Sequence, residues 1–235
     1  MKSGEIDNYA HHTKAYSRFA GQSFSWRYIE KPAFDRNLPD SIYQNSPLII
    51  DLGSGSGRII EYHLLRGADP LKLTGIDASA SMIETTIDNY SQVNFIHSSM
   101  QNLKTSQNSI DLVTSNLSFR YLDNQEMLCM FKKIKFMLKP EGTLFFLDVH
   151  PIRYGLANGF DRYYQETKRH VPTPWGGEDS YYYRTLSTYI NTVVEAGLII
   201  RAVDECPVNL GGQKANTNEY RKYNTPARFA ILAVK

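Results

Sequence analysis

Cysteine is scarce in this chain of 235 residues, where Cys129 and Cys206 are the only two. Two cysteines so far apart form neither a disulfide framework nor a metal cluster, and we expect reduced thiols in a cytosolic compartment. No apolar run approaches the roughly 20 residues that a membrane-spanning helix needs. The first residues also lack the apolar segment of a secretory signal. These absences predict a cytoplasmic globular protein.

An excess of charge of one sign is also absent. The 26 Lys and Arg residues nearly balance the 24 Asp and Glu residues, for a net charge of +2. This balance argues against a strongly nucleic-acid-directed protein and against an acidic solubilising one. The hydrophobic content of 42% excludes collagen-like and disordered classes. A chain of this length buries roughly 70–75% of its unfolded surface, which fits one domain.

Short apolar runs alternate with helix-like segments through the middle of the chain. Strands are expected over 48–52, 71–77, 93–97, 110–115 and 143–149, and helices over 58–66, 79–90 and 124–138. A further helix over 186–196 and strands over 198–204 and 227–234 close the pattern. This order is typical of an α/β fold with a doubly wound, mostly parallel sheet of seven strands.

A glycine-rich segment, DLGSGSGR from Asp51 to Arg58, follows the first expected strand. Glycines at such a turn let the backbone approach a ligand closely, while the amides of the next helix point into the same crevice. The dinucleotide fingerprint needs a glycine at position 58, where Arg58 stands. A nucleoside without phosphates is therefore the better match, and a plain tight turn is the alternative interpretation.

An acidic residue, Asp77, ends the second expected strand, 24 positions after Gly53. A carboxylate at that point accepts hydrogen bonds from both ribose hydroxyls of a nucleoside lying across the strand ends. A strand-end aspartate is also a common helix cap. In combination with the glycine turn, it predicts a ribose ligand.

These segments resemble the class I S-adenosylmethionine-dependent methyltransferases, in particular their small-molecule, methyltransferase-11/25-like branch. DLGSGSGR is similar to the first motif of the family and GIDASASMI to its second. IDLVTSNLSFRYL resembles its fourth-strand segment and LKPEGTLFFLDVHP its fifth. The resemblance covers residues 9–235 and implies methyl transfer from S-adenosylmethionine, which leaves S-adenosyl-L-homocysteine.

The resemblance also implies roles for individual residues. Those expected around the methionine portion of the cofactor are Asp51, Gly53, Ser54 and Gly55. Asp77 is expected at the ribose, with Ala78 and Met82 beside the adenine. Where the family usually has an aspartate for the adenine amino group this chain has Ser99, so Ser99 and the amide of Met100 are expected to bind the ring edge. Asn116 and Leu117 are expected beside the sulfonium, although Asn116 also fits a simple strand-end turn.

Three residues are expected to take part in catalysis or acceptor binding. His150 follows the fifth strand and is the candidate general base, because imidazole titrates near neutral pH; a loop residue is the alternative. Arg120 is expected to face the acceptor. Tyr16, with Tyr9 as a second candidate, is expected to close over the cofactor, and core packing is the alternative for Tyr9. The sequence indicates no metal site.

One domain is expected, with four parts. Residues 1–45 form a helical cover, 46–150 the cofactor-binding core, 151–185 an insertion on the substrate side, and 186–235 the segment that completes the sheet. The insertion is rich in aromatic residues, namely Tyr154, Phe160, Tyr163, Tyr164, Trp175 and Tyr181 to Tyr183. They fit either a stacking surface for a planar or apolar acceptor or a small core that holds a long loop.

The predicted function is methyl transfer to an oxygen or nitrogen atom of a small acceptor, by a monomer or homodimer. One alternative is an RNA or protein methyltransferase with the same cofactor. Nucleic acid is not favoured, because Asn116-Leu117-Ser118-Phe119 lacks the two prolines found in enzymes that methylate amino groups of bases. A second alternative is a non-catalytic regulatory or partner protein that binds the cofactor.

Overall fold

A seven-stranded sheet is the centre of the structure, a computed structural model that describes residues 13–173 and 178–235. The strands are β1 (Ile49–Leu52), β2 (Leu73–Asp77), β3 (Asn94–His97), β4 (Ile110–Asn116), β5 (Leu138–Val149), β6 (Thr167–Pro172), β7 (Glu178–Tyr183), β8 (Ile199–Asp204) and β9 (Arg228–Val234). The sheet has the order β3-β2-β1-β4-β5-β9-β8, and among these seven β9 runs antiparallel to its neighbours. The predicted doubly wound α/β fold is confirmed.

Helices cover both faces of this sheet. They are α1 (Thr13–Gln22), α2 (Lys31–Asn37), α3 (Arg58–Leu65), α4 (Ala80–Asn89), α5 (Asn124–Met137), α6 (Ile152–Asn158), α7 (Leu186–Glu195), α8 (Leu210–Ala215) and α9 (Thr217–Tyr223). A π-helical turn, Trp26–Glu30, leads directly into α2. Within the described ranges, no helix is both long and apolar enough to cross a bilayer. Tyr9 and Trp175, for which the sequence suggested roles, lie outside the described residues.

The sheet separates two hydrophobic cores, because successive side chains of a strand point to opposite faces. Ile50 and Phe146 face the core that contains α5 and α7, whereas Ile49 and Phe145 face the core that contains α2 and α3. All four residues of β1 are buried. A strand buried on both faces explains why the sequence before the glycine turn is a short apolar run.

The fifth strand begins earlier than the sequence predicts. Leu138 was expected to end a helix, but it starts β5 and pairs with Ile110 of β4. The register then shifts, so that Leu112 pairs with Thr143. Glu141, in the left-handed region at φ +63°, makes the bulge between these two pairs. From the sequence, the strand was expected to begin only at residue 143, because the residues of the bulge resemble an ordinary turn.

Residues after β5 form a cover over the carboxyl ends of the central strands. The cover consists of α6 and the antiparallel hairpin β6–β7. Asp179 anchors the hairpin, since its Oδ2 accepts hydrogen bonds from Arg120 Nη2 (3.0 Å) and from the Tyr121 hydroxyl (2.8 Å). Some of the aromatic side chains of this segment form a small core, in which the ring centroids of Tyr154 and Tyr183 lie 4.9 Å apart.

Candidate active site

A cavity of about 370 Å³ lies at the carboxyl ends of β1, β2 and β4. In this sheet order the chain turns to opposite sides after β1 and β4, which is where open α/β sheets bind ligands. The predicted site residues that line the cavity are Tyr16, Gly53, Gly55, Asp77, Ala78, Met82, Ser99, Met100, Asn116, Leu117 and Arg120. The structure does not place Asp51, Ser54 or His150 on its wall.

The glycine turn between β1 and α3 forms one end of the cavity. Gly53 (φ +73°) and Gly55 (φ +51°) both have left-handed backbones, which glycine adopts without strain. A Cβ atom at Gly53 would lie 2.1 Å from Ser118 Oγ, so a side chain there has no room. The nearest neighbour of a Cβ at Gly55 would be the ring of Tyr16, at 3.8 Å. The turn therefore offers bare backbone to a ligand that lies below Tyr16.

Asp77 fixes this turn and also faces the cavity. Its Oδ2 accepts a hydrogen bond from the Gly55 amide at 2.8 Å, and its Oδ1 accepts one from the Ser79 amide at 2.9 Å. The N-cap of α4 is Ser79, which accepts from the Met82 amide, so Asp77 is not that cap. Burial raises the pKa of Asp77, and its backbone hydrogen bonds oppose the rise. Each oxygen keeps a further lone pair for a ligand hydroxyl.

The side chain of Asp51 lies beneath the turn, at the end of a buried hydrogen-bond chain. The Tyr43 hydroxyl lies 2.9 Å from His63 Nδ1, and His63 Nε2 lies 3.1 Å from Thr114 Oγ1. Thr114 in turn donates to Asp51 Oδ1 at 2.9 Å. Burial lowers the pKa of His63 to about 3 and raises that of Asp51 to about 7. Sequence analysis found neither His63 nor Tyr43, because the contacts of this hydrogen-bond chain join residues that are 20 to 63 positions apart.

A buried carboxylate, Glu30, joins the two sides of the cavity, and sequence analysis missed it. It is fully buried and ends the π-helical turn. Its oxygens accept hydrogen bonds from Arg228 Nε at 3.0 Å and from Asn116 Nδ2 at 3.2 Å, and Arg58 Nη2 lies 3.4 Å away. These partners come from positions 58, 116 and 228, so no local spacing in the sequence could predict the cluster.

The end of β4 places Asn116 and Leu117 in the cavity wall. Leu117 has a left-handed backbone at φ +61°, and its amide donates to the carbonyl of Leu147 at 2.8 Å. Such a conformation in a non-glycine residue is costly and is concentrated at functional sites. Asn116 is buried, and its Oδ1 has no hydrogen-bond partner among the described residues.

The ring of Tyr16 of α1 lies beside the glycine turn, 3.8 Å from the position of a Cβ atom at Gly55. Burial raises the pKa of its hydroxyl, with Arg58 and Glu30 as the charged groups that affect it most. The phenol is therefore protonated at neutral pH and acts as a hydrogen-bond donor.

His150 does not reach the cavity. It is buried beneath α6, where its Nδ1 accepts the Ile152 amide at 3.2 Å and its Nε2 lies 3.2 Å from Glu205 Oε1. Burial lowers its pKa, and Glu205 opposes that shift. The prediction that His150 serves as general base loses its geometric basis, because the side chain holds a loop together instead.

The wall of the cavity fits the nucleoside cofactor that the sequence implies. Asp77 places its carboxylate directly beside the glycine turn, with Oδ2 2.8 Å from the amide nitrogen of Gly55, and both residues line the cavity. Ser99 and Met100 line the same side as Ala78. Asn116 also lines the cavity, and its buried Oδ1 has no hydrogen-bond partner among the described residues.

Comparison with known proteins agrees with this geometry. Residues 49–142 match the model of a methyltransferase domain family. The chain is 28% identical over 164 residues to the demethylmenaquinone methyltransferase of Thermotoga maritima, which covers 68% of this chain and 69% of that protein.

Solved structures with the same fold extend the match to most of the chain. A protein of Listeria monocytogenes assigned as an S-adenosylmethionine-dependent methyltransferase is 25% identical, with a TM-score of 0.71 over 88% of this chain and 97% of its own. Another from Mesorhizobium loti is 23% identical, with a TM-score of 0.75 over 91% of this chain and 99% of its own.

Proposed function

We propose that this chain, a class I S-adenosylmethionine-dependent methyltransferase of the methyltransferase-25-like branch, methylates an oxygen or nitrogen atom of a small organic acceptor. Its cofactor is S-adenosylmethionine. The choice of acceptor atom rests on one observation, the orientation of the Asn116 amide at the end of the cavity away from Asp77.

Glu30 determines that orientation. An ionised carboxylate only accepts hydrogen bonds, so Asn116 must turn its NH₂ group towards Glu30, at 3.2 Å. The carbonyl oxygen then points away from Glu30, buried and without a partner among the described residues. Leaving a buried acceptor unpaired costs about 1–3 kcal/mol. An acceptor molecule with an O–H or N–H group satisfies it, whereas a C–H group does so only weakly.

Glu30 stays ionised across the physiological pH range. Burial alone would raise its pKa, but Arg58, Arg228 and the hydrogen bond from Asn116 lower the pKa below its ordinary value. Protonation of Glu30, which would allow the amide to flip, is therefore confined to acid solution. The Asn116 carbonyl keeps its direction wherever the enzyme works.

The residues of this chain contribute positioning and exclusion of water. The bound cofactor supplies a methyl group on a positively charged sulfur, which is already activated towards a nucleophile. Asn116 Oδ1 holds the O–H or N–H of the acceptor and so directs the lone pair of the same atom. Tyr16 of α1 and Tyr181 of the hairpin line the cavity from above and limit the access of water.

A strong general base is not part of this proposal. Tyr16 is a donor at neutral pH because burial raises its pKa, and His150 lies outside the cavity wall. A neutral amine or a phenol attacks through a lone pair and can lose its proton to solvent as the methyl group moves, so each still offers an N–H or O–H to Asn116 and needs no such base. Acceptors of these kinds suit the site better than an aliphatic alcohol.

The test begins with calorimetric titration of S-adenosyl-L-homocysteine, followed by transfer of labelled methyl groups to a pooled metabolite extract. Asn116→Ala should bind S-adenosyl-L-homocysteine like the parent but should transfer the methyl group roughly 10- to 100-fold more slowly. The control is Asn94→Ala, an exposed change on β3. A carbon-methylated product would contradict the proposal, and binding with no product would favour a non-catalytic partner protein.

A further inference from the structure

The cavity carries more positive than negative charge. Among the described residues that line it, four are basic, namely Arg58, Arg120, Lys168 and Arg228, and three are acidic, namely Glu30, Asp77 and Asp179. Asp77 lies at the sugar end beside the glycine turn. The remainder of the cavity therefore holds four cations against two carboxylates, before a cofactor that itself has a positive sulfur is added.

Two of the cations, Arg120 and Lys168, contact residues of the hairpin β6–β7. Arg120 Nη2 donates to Asp179 Oδ2 at 3.0 Å and to the Tyr121 hydroxyl at 3.0 Å, and its guanidinium lies 4.9 Å from the ring centre of Tyr181. Lys168 Nζ lies 5.8 Å from the ring centre of Tyr182. The contacts of Arg120 fasten the hairpin to the segment after β4, whereas Lys168 and Tyr182 are paired across the hairpin itself.

The other two cations, Arg58 and Arg228, share a single carboxylate, Glu30. Their side chains are 12% exposed, so both guanidiniums are largely removed from water. One buried carboxylate cannot neutralise two buried guanidiniums, and such a site favours a further anion.

Arg58 and Arg228 contact different oxygens of Glu30, Oε2 and Oε1 respectively. Arg58 is the first residue of α3, next to the glycine turn, where the amino-acid end of the cofactor carries one carboxylate. Its Nη1 already donates to the carbonyl of Ala20 at 3.1 Å, and its guanidinium lies 4.8 Å from the ring centre of Trp26. Arg228 begins β9, which is three strands away from β1 in the sheet.

Arg228 has N–H donors that are not used by the hydrogen bonds to Glu30 and Ala227. Its Nε donates to Glu30 Oε1 at 3.0 Å and its Nη1 to the carbonyl of Ala227 at 3.0 Å. Its Nη2 makes no hydrogen bond to any described residue, and the side chain lines the cavity. Glu30 and Ala227 hold the planar group in one orientation, which is the arrangement that favours recognition of a carboxylate.

We propose that the methyl acceptor carries a carboxylate, and that Arg228 binds it through its free Nη2 group. This inference rests on the proposed function. A carboxylate matches the excess of positive charge at this end of the cavity, whereas a cationic acceptor would be repelled by both the arginines and the cofactor. Arg228 is then a specificity-determining residue, because it binds acceptors with a carboxylate in preference to their neutral analogues.

The test uses benzoate, its neutral isostere benzamide, and phenyl phosphate as probes of protein saturated with S-adenosyl-L-homocysteine. Dissociation constants are measured by ligand-detected NMR. Benzoate should bind at least about tenfold more tightly than benzamide, as expected for a charge-assisted hydrogen bond. Arg228→Gln should abolish this preference and Arg228→Lys should keep part of it. The control Arg201→Gln removes an equal charge from the exposed face of β8 and should keep all of it.

Several results would overturn the inference. These are benzamide binding as tightly as benzoate, no detectable binding of benzoate, or a preference that persists in Arg228→Gln. Tighter binding of phenyl phosphate than of benzoate would assign the site to phosphate esters instead. If Arg228→Gln does not fold, the benzoate and benzamide constants of the parent and of Arg228→Lys decide the matter. Failure of the parent to bind S-adenosyl-L-homocysteine would instead refute the proposed function.

Discussion

Buried polar residues of the site are oriented by partners that permit only one arrangement. Glu30 accepts only, so it fixes the amide of Asn116. Burial lowers the pKa of His63, so its ring is neutral. Because the Thr114 hydroxyl donates to Asp51, His63 Nε2 donates to Thr114 and Nδ1 accepts from the Tyr43 hydroxyl. Such directed chains are costly to leave incomplete, and they give the site a fixed polarity before any ligand arrives.

Asp77 provides the first prediction at this scale. Asp77→Ala removes both carboxylate oxygens that we propose for the ribose and also releases the amides of Gly55 and Ser79. We expect the affinity for S-adenosyl-L-homocysteine to fall roughly 10- to 100-fold, the range for loss of hydrogen bonds to a charged group. Calorimetry measures this directly. Asp88→Ala, an exposed change on α4, is the control, and parent-like affinity of Asp77→Ala would refute the ribose assignment.

Asp51 provides the second prediction at the scale of residues. Burial raises its pKa from 3.8 to about 7 in the folded chain, so the folded state favours the protonated acid. Its stabilising contribution is complete below the unfolded pKa and is lost as the pH rises through the folded pKa. Asp51→Asn, which cannot ionise, should therefore be more stable than the parent by about 1–2 kcal/mol at pH 8 and by much less at pH 5. Urea denaturation at both pH values measures the difference.

At the scale of elements, the turn between β1 and α3 was the most predictable feature. Its glycines stand where the chain must reverse into a left-handed conformation, and the neighbouring strand and helix were both expected nearly where they lie. Local sequence suffices here because the requirement is a backbone requirement, set within a few residues.

Substitution at this turn separates backbone strain from loss of the site. Gly55→Val introduces a branched side chain at φ +51°, in the cavity below Tyr16, and should abolish binding of S-adenosyl-L-homocysteine. Gly67→Val is the matched control, since Gly67 has φ +87° and open space around it. Both variants should lose similar stability in thermal melts, but only Gly55→Val should lose binding. Equal binding by the two variants would contradict the assignment of the turn.

The hairpin β6–β7 shows the limit of local reasoning. The segment was expected to be an insertion on the substrate side, and its aromatic residues fitted two interpretations. The structure divides them: Tyr154 and Tyr183 pack in a small core, whereas Tyr181 lines the cavity beside Arg120. The choice is made by Asp179, whose ion pair with Arg120 draws one end of the hairpin onto the segment after β4.

At the scale of the whole molecule, the cavity exists only because α1, the hairpin and the sheet meet around it. A ligand that binds there links these parts and should stabilise the folded chain by mass action. At 100 times its dissociation constant, S-adenosyl-L-homocysteine should add about 2.7 kcal/mol. For a chain of this size that corresponds to a rise in Tm of roughly 5–10 °C.

Thermal melts with NAD provide the control for this prediction. NAD carries a pyrophosphate, for which the chain has Arg58 in place of the third glycine of the dinucleotide fingerprint. It should leave Tm unchanged. A rise with NAD and none with S-adenosyl-L-homocysteine would show that the cavity binds a different class of nucleotide.

The sequence by itself determined the order of strands and helices, the glycine turn and the acid at the end of β2. Each depends on backbone conformation or on apolar periodicity within one segment, which neighbouring residues reveal. It also placed Asn116 correctly at the end of β4, but not the direction of its amide.

Only the tertiary structure decided the polar partners. Glu30, Arg58, Asn116 and Arg228 are far apart in the chain and meet because four separate elements converge on one edge of the sheet. His150 shows the converse, since its position after β5 suggested a base while packing against α6 and Glu205 turned its ring away from the cavity. The direction of a side chain depends on what is packed around it, and that is a property of the assembled fold.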